Sequence, residues 1–391
     1  MSGKRVMLYV QHLLGIGHLK RAATLADAMT RAGLEVTFVS GGFEVPGITV
    51  NAAHVVQLPP VGAADLSFKA LVDASGKPVD EGWKQERSAM LLAAWRAVDP
   101  HVLVIELFPF GRRQMRFELV PLLDAATSAA RRPVIASSVR DVLGGGQKDA
   151  TRQDQMLELF ERYFDHLLVH GDPALIPFDE TFRHAPRIGR KLHYTGYVVD
   201  QRPAPSGDGQ LGKNEVLVSV GGGAVGLQLL ETALRARLLC TMAQHRWRLL
   251  AGVDVADSEL DHLRQMAEAN GGPGVAVERN RTDFALLLAN CHLSVSQGGY
   301  NTVMETLAAG ARAVVVPFAG GAETEQTLRT RLLAQRGWIE MLEESALDPR
   351  TLAEAINRAA LRPRRRGNVA SLDGAFNSAA LVAQWSGELS W

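Results

Sequence analysis

The sequence is poor in cysteine, has no excess of charge of either sign and contains no long apolar run. Its two cysteines among 391 residues, Cys240 and Cys291, lack neighbours typical of metal or redox sites. Both are therefore expected to be reduced and packed in a cytoplasmic protein. Basic and acidic residues number 42 each, which excludes a broad electrostatic attraction to nucleic acid. No apolar run approaches the ~18–20 residues that cross a bilayer, which leaves only a weak peripheral contact with a membrane.

The N-terminal region leads directly into a strand-like stretch, Val6–Val10. This stretch is too short for the apolar region of a signal peptide and no cleavage site follows it, in keeping with the expected cytoplasmic location. At roughly 100–200 residues per domain, the length favours two or three domains. Hydrophobic residues make up 47% of the chain and charged residues 21%, which favours an α/β enzyme with sizeable cores.

Short runs rich in Val, Ile and Leu recur along the chain, and each is followed by a glycine or polar turn and then an amphipathic stretch. They predict strands at Val6–Val10, Val36–Ser40, Val102–Ile105, Val134–Ser138, His166–His170, Val216–Val220, Trp247–Ala251, Gly274–Glu278, Leu293–Ser296 and Ala313–Pro317. Continuous apolar strands that alternate with helices indicate parallel sheets buried on both faces. Right-handed crossovers then give an α/β fold of doubly wound layers.

The best domain boundary is the segment Asp200–Lys213, which is rich in Pro, Gly and polar residues. It lies where the alternation of strands and helices pauses, and a new strand starts directly after it. The chain is therefore predicted to form two Rossmann-like domains, 1–200 and 213–372. The final stretch, Ala375–Trp391, predicts a helix that packs back on the first domain.

The first glycine-rich turn follows the first strand and contains Gly15, Gly17 and His18. A helix is predicted over Ala22–Arg31, and Gly33 suits the position that follows a helix. Glycines in such a turn let a ligand approach the backbone, and the helix N-terminus favours an anion. His18 is then expected in the crevice at the carboxyl end of the sheet. The alternative is that it only caps the helix or packs against it.

The second glycine-rich turn follows the strand at Val216–Val220 and carries Gly221, Gly222, Gly223 and Gly226. Four glycines within six positions after a strand predict backbone amides that are presented to phosphate. The alternative is a tight turn whose glycines serve only the close packing of strand and helix.

The third element combines two consecutive strand ends with a series of polar side chains. Its residues are Gln297, Gly298, Gly299, Asn301, Thr302 and Glu305, followed after the next strand by Glu325 and Gln326. The glycines and the start of a helix place amides and hydroxyls around a diphosphate. Glu305 lies one turn along that helix and can accept two hydrogen bonds from a ribose diol. Glu325 and Gln326 can contact sugar hydroxyls, so the order of these residues favours a nucleotide-sugar site.

This third element resembles the donor-site signature of GT-B glycosyltransferases, especially the MurG-type enzymes of peptidoglycan synthesis and the UDP-glycosyltransferases of small-molecule metabolism. The matching residues are Gly298, Gly299, Asn301, Thr302, Glu305, Pro317, Glu325 and Gln326. Two departures stand out: Gln297 replaces the phosphate-binding His usual in the small-molecule enzymes, and the loop before Glu325 is longer. The resemblance spans most of residues 213–345; in the first domain it is confined mainly to the turn at Gly15–His18 and the strand order.

The resemblance implies a GT-B fold, with two Rossmann-like domains facing across a cleft. It also implies inverting transfer from a nucleotide diphosphate sugar, expected to be UDP-linked, to an unidentified acceptor on the first domain. The turn at Gly221–Gly226 is similar to the phosphate loop of these enzymes, and the base is expected near Arg279 and Asn280 through backbone groups. No Asp-x-Asp motif with supporting metal ligands occurs where the donor would lie, so the reaction is expected to need neither metal nor cofactor.

His18 is the best candidate for the base that deprotonates the acceptor. The ordinary histidine pKa of about 6.5 suits proton removal near neutral pH. An alternative is that His18 holds the acceptor or a phosphate, while Asp141 or Glu106 acts as the base. Both acids lie at predicted strand ends, and Asp141 follows Arg140 directly. Each group could equally form a structural ion pair.

Two further segments have ambiguous roles. Phe108 and Phe110 follow a predicted strand end, where aromatic rings can stack on an acceptor; a solvated loop is the alternative. The basic cluster Arg362–Arg366 predicts a solvated turn before the last helix, with a contact to anionic lipid as the alternative.

Three other functions compete with glycosyl transfer. Nucleotide-sugar hydrolases of pseudaminic acid synthesis share a similar G-x-G-H-x-x-R turn, with water in place of the acceptor. Nucleotide-sugar 2-epimerases also have two Rossmann-like domains. A non-catalytic binding protein is the third alternative, against which the complete donor signature and His18 argue.

Overall fold

The computed structural model describes residues 3–13, 16–63, 70–143, 149–199, 209–221, 226–252, 255–271, 274–319, 325–365 and 371–388. The chain divides into two compact units. One comprises Met1–Asp200 together with Ser371–Trp391, and the other comprises Gln201–Ala370.

The strands of the first unit, in chain order, are β1 (Arg5–Val10), β2 (Glu35–Ser40), β3 (His54–Gln57), β4 (Gly62–Ala63), β5 (Leu71–Val72), β6 (Val102–Glu106), β7 (Val134–Arg140), β8 (His166–His170) and β9 (Leu192–Tyr194). Seven of these described strands form a parallel sheet in the order β3-β2-β1-β6-β7-β8-β9. Strands β4 and β5 form a separate antiparallel pair.

The helices between these strands are α1 (Gly17–Arg31), α2 (Glu81–Val98), α3 (Arg116–Thr127), α4 (Ala150–Tyr163) and α5 (Ala185–Ile188). Helix α1 ends at Arg31, and Gly33 two residues later has a φ of 83°, in the left-handed region that favours glycine. The Gly33 amide donates to the carbonyl of Thr30 at 3.0 Å, and the Leu34 amide donates to that of Met29 at 3.1 Å. These bonds satisfy carbonyl groups at the helix end, as the sequence predicted.

Both faces of the first sheet are buried because successive strand residues point to opposite sides. On one face Met7 and Tyr9 pack with Leu103 and Ile105 in one core cluster. On the other face Val6, Leu8 and Val10 belong to a second cluster, which also contains residues of α1. A strand buried on both sides has no polar alternation, which explains its continuous apolar sequence.

The second unit contains β10 (Val216–Ser219), β11 (Trp247–Ala251), β12 (Val275–Arg279), β13 (Leu293–Gln297), β14 (Ala313–Val316) and β15 (Glu340–Met341). They form a parallel sheet in the order β12-β11-β10-β13-β14-β15. Its helices are α6 (Leu227–Ala236), α7 (Asp257–Gly271), α8 (Phe284–Asn290), α9 (Tyr300–Ala308), α10 (Glu325–Gln335) and α11 (Pro349–Leu361).

The last helix, α12 (Gly374–Glu388), belongs to the first unit and packs against α1. Its Trp385 is 3% exposed and stacks on His166, with the ring centroids 4.0 Å apart. None of the helices among the described residues is long and apolar enough to span a bilayer.

The predicted α/β class and all ten predicted strands are confirmed to within two residues at each end. The sequence did not reveal β3, β4, β5, β9 and β15. Strands β4 and β5 have only two residues each. Strand β3 is mostly exposed, while β9 and β15 have only three and two residues. Short edge strands carry too little apolar pattern to be recognised.

Candidate active site

The first sheet has a topological switch point between β1 and β6. The chain builds outward from β1 to β2 and β3, then returns to place β6 on the other side of β1. In sheets of this kind the crevice at the carboxyl ends of the two central strands is the usual ligand position. His18 follows β1 as the second residue of α1, and Glu106 is the last residue of β6.

His18, Glu106 and Arg21 contact one another at this switch point. Nδ1 of His18 lies 2.9 Å from Oε1 of Glu106, and the same oxygen accepts a hydrogen bond from the Arg21 guanidinium. A guanidinium nitrogen of Arg21 also lies 3.2 Å from Nδ1 of His18. A carboxylate only accepts, and its contact with Nδ1 is the shorter one, which favours the proton of neutral His18 on Nδ1. The Nε2 atom of His18 is then the lone-pair atom that can take a proton.

The second oxygen of Glu106 is held from the neighbouring strand. Ser138 on β7 donates its hydroxyl to Oε2 of Glu106 at 2.6 Å. Glu106 is 1% exposed and Arg21 is 2% exposed, so the carboxylate and the guanidinium compensate each other in a buried position.

Positive charge exceeds negative charge around His18. We call Arg21, Arg112 and Arg140 the cationic cluster. Burial lowers the pKa of His18 well below its usual value, and the charges of Arg140, Arg112 and Arg21 lower it further. Burial also lowers the pKa of Arg112 to about 10, while Glu106 acts in the opposite direction. Arg21 is buried and Arg112 and Arg140 are partly buried. Such an excess of cations next to the N-terminus of α1 is suited to an anionic ligand.

The loop after β6 has backbone conformations that position Arg112. Leu107 and Arg112 have φ angles of 68° and 57°, in the left-handed region that side chains other than glycine rarely adopt. Nε of Arg112 donates to the carbonyl of Gln11 at the end of β1, at 2.6 Å. Such conformations persist only where surrounding contacts stabilise them, and they concentrate at functional sites.

Several contributors to this site were not assigned a role from the sequence, namely Arg21, His12, Arg112, Ser138 and His170. His12, Ser138 and His170 lie at or next to the ends of apolar strands and are buried. A polar residue at the carboxyl end of a buried strand is the signal that could have identified them.

The other candidates from the first domain have different positions. Asp141 is buried, and its Oδ1 accepts from the amide of Val142 at 2.9 Å, whereas Glu106 contacts His18 directly. The suggested stacking role of the two aromatic residues is wrong. Phe108 and Phe110 are 1% and 2% exposed, and Phe110 packs in the core. Its neighbours there are Phe160, Phe178 and Phe182, at centroid distances of 5.8, 5.9 and 5.1 Å.

The second sheet has its own switch point, between β10 and β13. Oε1 of Gln297, at the end of β13, accepts from the amide of Gly221, just after β10, at 3.3 Å. A Cβ placed on Gly226 would lie 3.0 Å from Nε2 of Gln297. The carboxamide of Gln297 therefore lies between the two strand-to-helix turns. Gly222 and Gly223, like Gly15 of the first unit, lie outside the described residues.

The N-terminus of α9 provides the amide groups expected for a phosphate. Gly299 is the residue before the helix, with no side-chain capping bond and open space where a Cβ would project. Gly298 instead lies against Pro317 and Thr330, whose atoms a Cβ would meet at 3.1 and 3.0 Å. Helix N-termini without a side-chain cap present free donors to anions. The partly buried polar residues of this helix in the predicted site are Asn301, Thr302 and Glu305.

The first turn of α10 contains Glu325 and Gln326. Glu325 pairs with the buried Arg329 at 2.7 Å, and the Arg329 guanidinium lies 5.0 Å from the ring centroid of Tyr300 on α9. Oε1 of Gln326 accepts from the Phe318 amide at 3.2 Å. Glu325 thus has a structural partner on its own helix.

Arg279 at the end of β12 holds the preceding loop. Its guanidinium donates to the carbonyl of Val255 at 2.7 Å and to Asp257 at 2.5 Å. The amide of Asn280 donates to the carbonyl of Ala251 at 2.8 Å. The Arg279 side chain and this Asn280 amide are therefore used by the fold.

The basic segment before the last helix is tied to the second unit. Arg364 donates to the carbonyls of Cys291 and Leu288 at 2.9 and 3.1 Å, and Arg365 lies 3.9 Å from the ring centroid of Trp338. Arg362 pairs with Glu340. The predicted turn is partly exposed, at Pro363 and Arg365, but carbonyl groups and an aromatic ring also bind its cations. Arg366 lies outside the described residues. Among the described residues, no group of three or more His, Cys, Asp or Glu side chains is arranged to hold a metal ion.

Residues 217–381 match the model of the glycosyltransferase family 28 C-terminal domain. A curated protein of Granulibacter bethesdensis is 29% identical over 272 residues, covering 68% of this chain and 63% of that protein. It is named UDP-N-acetylglucosamine--N-acetylmuramyl-(pentapeptide) pyrophosphoryl-undecaprenol N-acetylglucosamine transferase. The chain thus spans less than two thirds of the length of this relative.

Two solved structures share the fold. The calicheamicin glycosyltransferase CalG4 aligns with a TM-score of 0.60 and 17% identity, covering 100% of this chain and 98% of that chain. MurG of Acinetobacter baumannii aligns with a TM-score of 0.59 and 15% identity, covering 97% and 95%. At these identities the likeness establishes the architecture, and the predicted GT-B fold is confirmed.

Proposed function

We propose that this chain, which has the GT-B fold, is a MurG-like glycosyltransferase that transfers a sugar from a UDP-linked donor to an acceptor with an anionic group. The second unit takes the donor and the first unit takes the acceptor. The observation that carries the proposal is the His18–Glu106 contact beside the cationic cluster, in a chain whose residues 217–381 match the glycosyltransferase family 28 C-terminal domain.

The donor assignment is supported by the turns at the switch point of the second sheet. The Gly221 turn and the N-terminus of α9 meet through Gln297, so amides from both can surround one diphosphate. Glu305 lies on the second turn of α9, where its carboxylate can accept from the two ribose hydroxyls. UDP is proposed as the nucleotide because the relative from Granulibacter is named for UDP-N-acetylglucosamine.

The acceptor assignment is supported by charge. Three arginines lie around the single carboxylate that contacts His18, and their positive charge is one that a phosphate group would neutralise. The name of the relative includes a pyrophosphoryl-undecaprenol acceptor. We therefore propose a lipid-linked phosphate or diphosphate as the anionic part of the acceptor, with peripheral contact to the membrane that carries it.

His18 is proposed as the base, with its pKa corrected by the structure. The sequence-based expectation used the ordinary pKa near 6.5, but burial and the nearby arginines lower the pKa of His18 well below that value. Free His18 is therefore neutral at pH 7 but weakly basic. An acceptor phosphate bound by Arg112 and Arg140 would offset their charges and raise the basicity of His18 when it is needed.

We propose that the transfer inverts the anomeric carbon and needs neither metal nor cofactor. In a single displacement, His18 takes the hydroxyl proton as the acceptor oxygen attacks and the diphosphate leaves with its bonding electron pair. Helix N-termini and turn amides can stabilise the charge of the leaving group. Analysis of product configuration by NMR, and activity that is unchanged by EDTA, would support both points.

The deciding experiment is an assay with a panel of nucleotide sugars and two matched acceptors. One acceptor carries a prenyl diphosphate, and the other is the same molecule with a neutral ether in place of the diphosphate. We expect UDP release and a glycosylated product only with the UDP-sugar and the diphosphate acceptor. Free sugar released without acceptor would instead indicate a hydrolase, and a changed nucleotide sugar would indicate an epimerase. Equal activity with the neutral acceptor would reject the anionic-acceptor assignment.

A further inference from the structure

A continuous chain of buried hydrogen bonds leads away from the carboxylate that contacts His18. Ser138 Oγ lies 2.6 Å from Oε2 of Glu106 and 2.9 Å from Nε2 of His170. Nδ1 of His170 lies 2.9 Å from the hydroxyl of Thr195. Ser138 and His170 are fully buried and Thr195 is 1% exposed, so solvent does not replace these contacts.

Helix α12, which returns to the first unit, anchors the far end of this chain of hydrogen bonds. Nδ2 of Asn377 on α12 donates to the carbonyl of Thr195 at 2.8 Å. Nearby, the amide of Ser371 donates to Asp172 at 3.1 Å, and the amide of Tyr197 donates to the carbonyl of Ser371 at 2.6 Å. The segment before α12 therefore holds the backbone that follows Thr195 and the turn that follows His170.

The donor and acceptor capacities of these groups determine which atom carries the proton in each hydrogen bond. Ionised Glu106 can only accept, so the single hydroxyl proton of Ser138 points to Glu106. Ser138 must then accept from Nε2–H of His170. Burial and the charge of Arg21 lower the pKa of His170 well below its usual value, so the ring is neutral and its Nδ1 accepts from Thr195.

The reverse order is possible only with a protonated Glu106. Glu106 would then donate to Ser138, Ser138 to Nε2 of His170, and Nδ1–H of His170 to Thr195. The hydroxyl of Thr195 would donate to the carbonyl of Gly196, which lies 3.1 Å away. Each protonation state of Glu106 therefore has its own complete arrangement of the chain, with His170 in opposite tautomers.

We propose that Ser138, His170 and Thr195 are positioning residues that fix the side chain of Glu106 and direct its carboxylate at His18. The inference rests on the proposed role of His18 as base. The charged and titratable groups around Glu106 and His18 are Arg21, Arg112, Arg140, His12 and His170. Because the arginines lower the proton affinity of His18, a fixed anionic partner on Nδ1 is required to keep its Nε2 basic and correctly oriented.

The first test is histidine tautomer assignment by long-range 1H–15N NMR on the full-length protein at pH 7.5, without substrates. We expect His170 in the Nε2–H form and His18 in the Nδ1–H form. Thr195→Val should remove the donor to Nδ1 of His170 and shift its ring nitrogen signals, while Thr195→Ser should restore them. Wild-type His170 in the Nδ1–H form would overturn the proposal, whatever the enzyme does to substrates.

The second test compares two adjacent serines of β7. Ser138→Ala removes a donor to the Glu106 carboxylate, which favours the protonated form of the His18–Glu106 pair. The apparent pKa of the acid limb of the pH profile of kcat/KM should rise by roughly 0.5–1 pH unit. This is the shift expected for loss of a hydrogen bond worth about 1 kcal/mol. Ser137→Ala is the matched control, since Ser137 is equally buried but donates to the carbonyl of Phe108 at 2.8 Å.

The two tests separate failure of this inference from failure of the proposed function. If Ser137→Ala and Ser138→Ala give the same acid limb, the positioning role is wrong even when both enzymes are active. If the protein transfers no sugar, the tautomers and the NMR titration of His18 in the two serine variants still decide the inference. An upward shift of that titration in Ser138→Ala alone would support it.

Discussion

Nδ1 of His18 lies 2.9 Å from Oε1 of Glu106, a residue 88 positions later in the chain. The two meet because β1 and β6 are neighbours in the sheet, so their carboxyl ends open into one crevice. The contact makes Nε2 of His18 the basic atom, and Arg21 and Ser138 fix the carboxylate on which that depends.

Glu106→Gln should lower kcat on the order of 10- to 100-fold, because the neutral amide keeps the shape of the side chain but no longer stabilises a protonated His18. It should also reduce thermal stability by leaving the buried Arg21 without its carboxylate. Steady-state kinetics and thermal unfolding would measure the two effects.

The matched control for this substitution is Glu118→Gln. Glu118 is fully buried and pairs with Arg87 at 2.7 Å, so it should lose stability in the same way while the folded enzyme keeps its pH profile. Equal loss of kcat in both variants would mean that Glu106 acts only through folding.

Glu305→Ala should weaken UDP binding by about 10- to 100-fold, which corresponds to the roughly 1.5–3 kcal/mol of hydrogen bonds to a charged group. Because the reacting groups are unchanged, kcat at saturating donor should change little. Calorimetric titration with UDP measures the loss. Glu354→Ala provides the comparison, since Glu354 is exposed and only pairs with Arg350 at 3.3 Å; full UDP affinity in both variants would contradict the ribose assignment.

Gln297→Glu should weaken UDP binding at least about tenfold at low salt, because a carboxylate next to the diphosphate repels it. The new oxygen can still accept from the Gly221 amide, so folding should be little affected. The loss should shrink in 1 M salt, where screening is stronger. Gln335→Glu is the control, since it adds the same charge at an exposed position at the far end of α10. If Gln297→Glu binds UDP as tightly as Gln335→Glu does, no diphosphate lies beside Gln297.

The free energy of unfolding should fall as the pH drops below about 6.5. His18 and His170 have folded-state pKa values well below the ordinary value, so the unfolded chain binds their protons first. Their stabilising contribution is complete above the unfolded pKa and is lost as the pH falls towards the folded pKa. Each histidine with a lowered pKa adds at most about 1.4 kcal/mol per pH unit to the slope of the free energy of unfolding against pH.

Urea unfolding between pH 5 and 8 measures this slope, which should be flat above about pH 7. His170→Asn should be less stable at pH 7.5 but show a shallower dependence. A stability that rises on acidification would contradict the neutral state of these rings.

Trp385→Ala should lower the free energy of unfolding by about 3–5 kcal/mol, the cost of removing a large buried side chain. Trp385 is 3% exposed and stacks on His166. On the same helix, Phe376 is 72% exposed, so Phe376→Ala should change the free energy by no more than about 0.5 kcal/mol. Similar losses in urea unfolding would contradict the observed packing of α12.

The sequence by itself determined the α/β class, the ten principal strands, the returning last helix and the turns that bear His18 and Gln297. These features follow from local patterns, because apolar runs, glycine turns and the residues beside them are adjacent in the chain. The short edge strands were not predicted, since exposed residues with few neighbours carry little pattern.

Only the tertiary structure decided which distant groups act together and in which charge state. It paired His18 with Glu106, lowered the pKa of His18 below the expected range, placed Phe110 in the core and bound Arg364 to backbone carbonyls. The physical reason is that hydrogen bonding, burial and the sum of nearby charges depend on which strand ends become neighbours. That order is set by packing of the whole sheet.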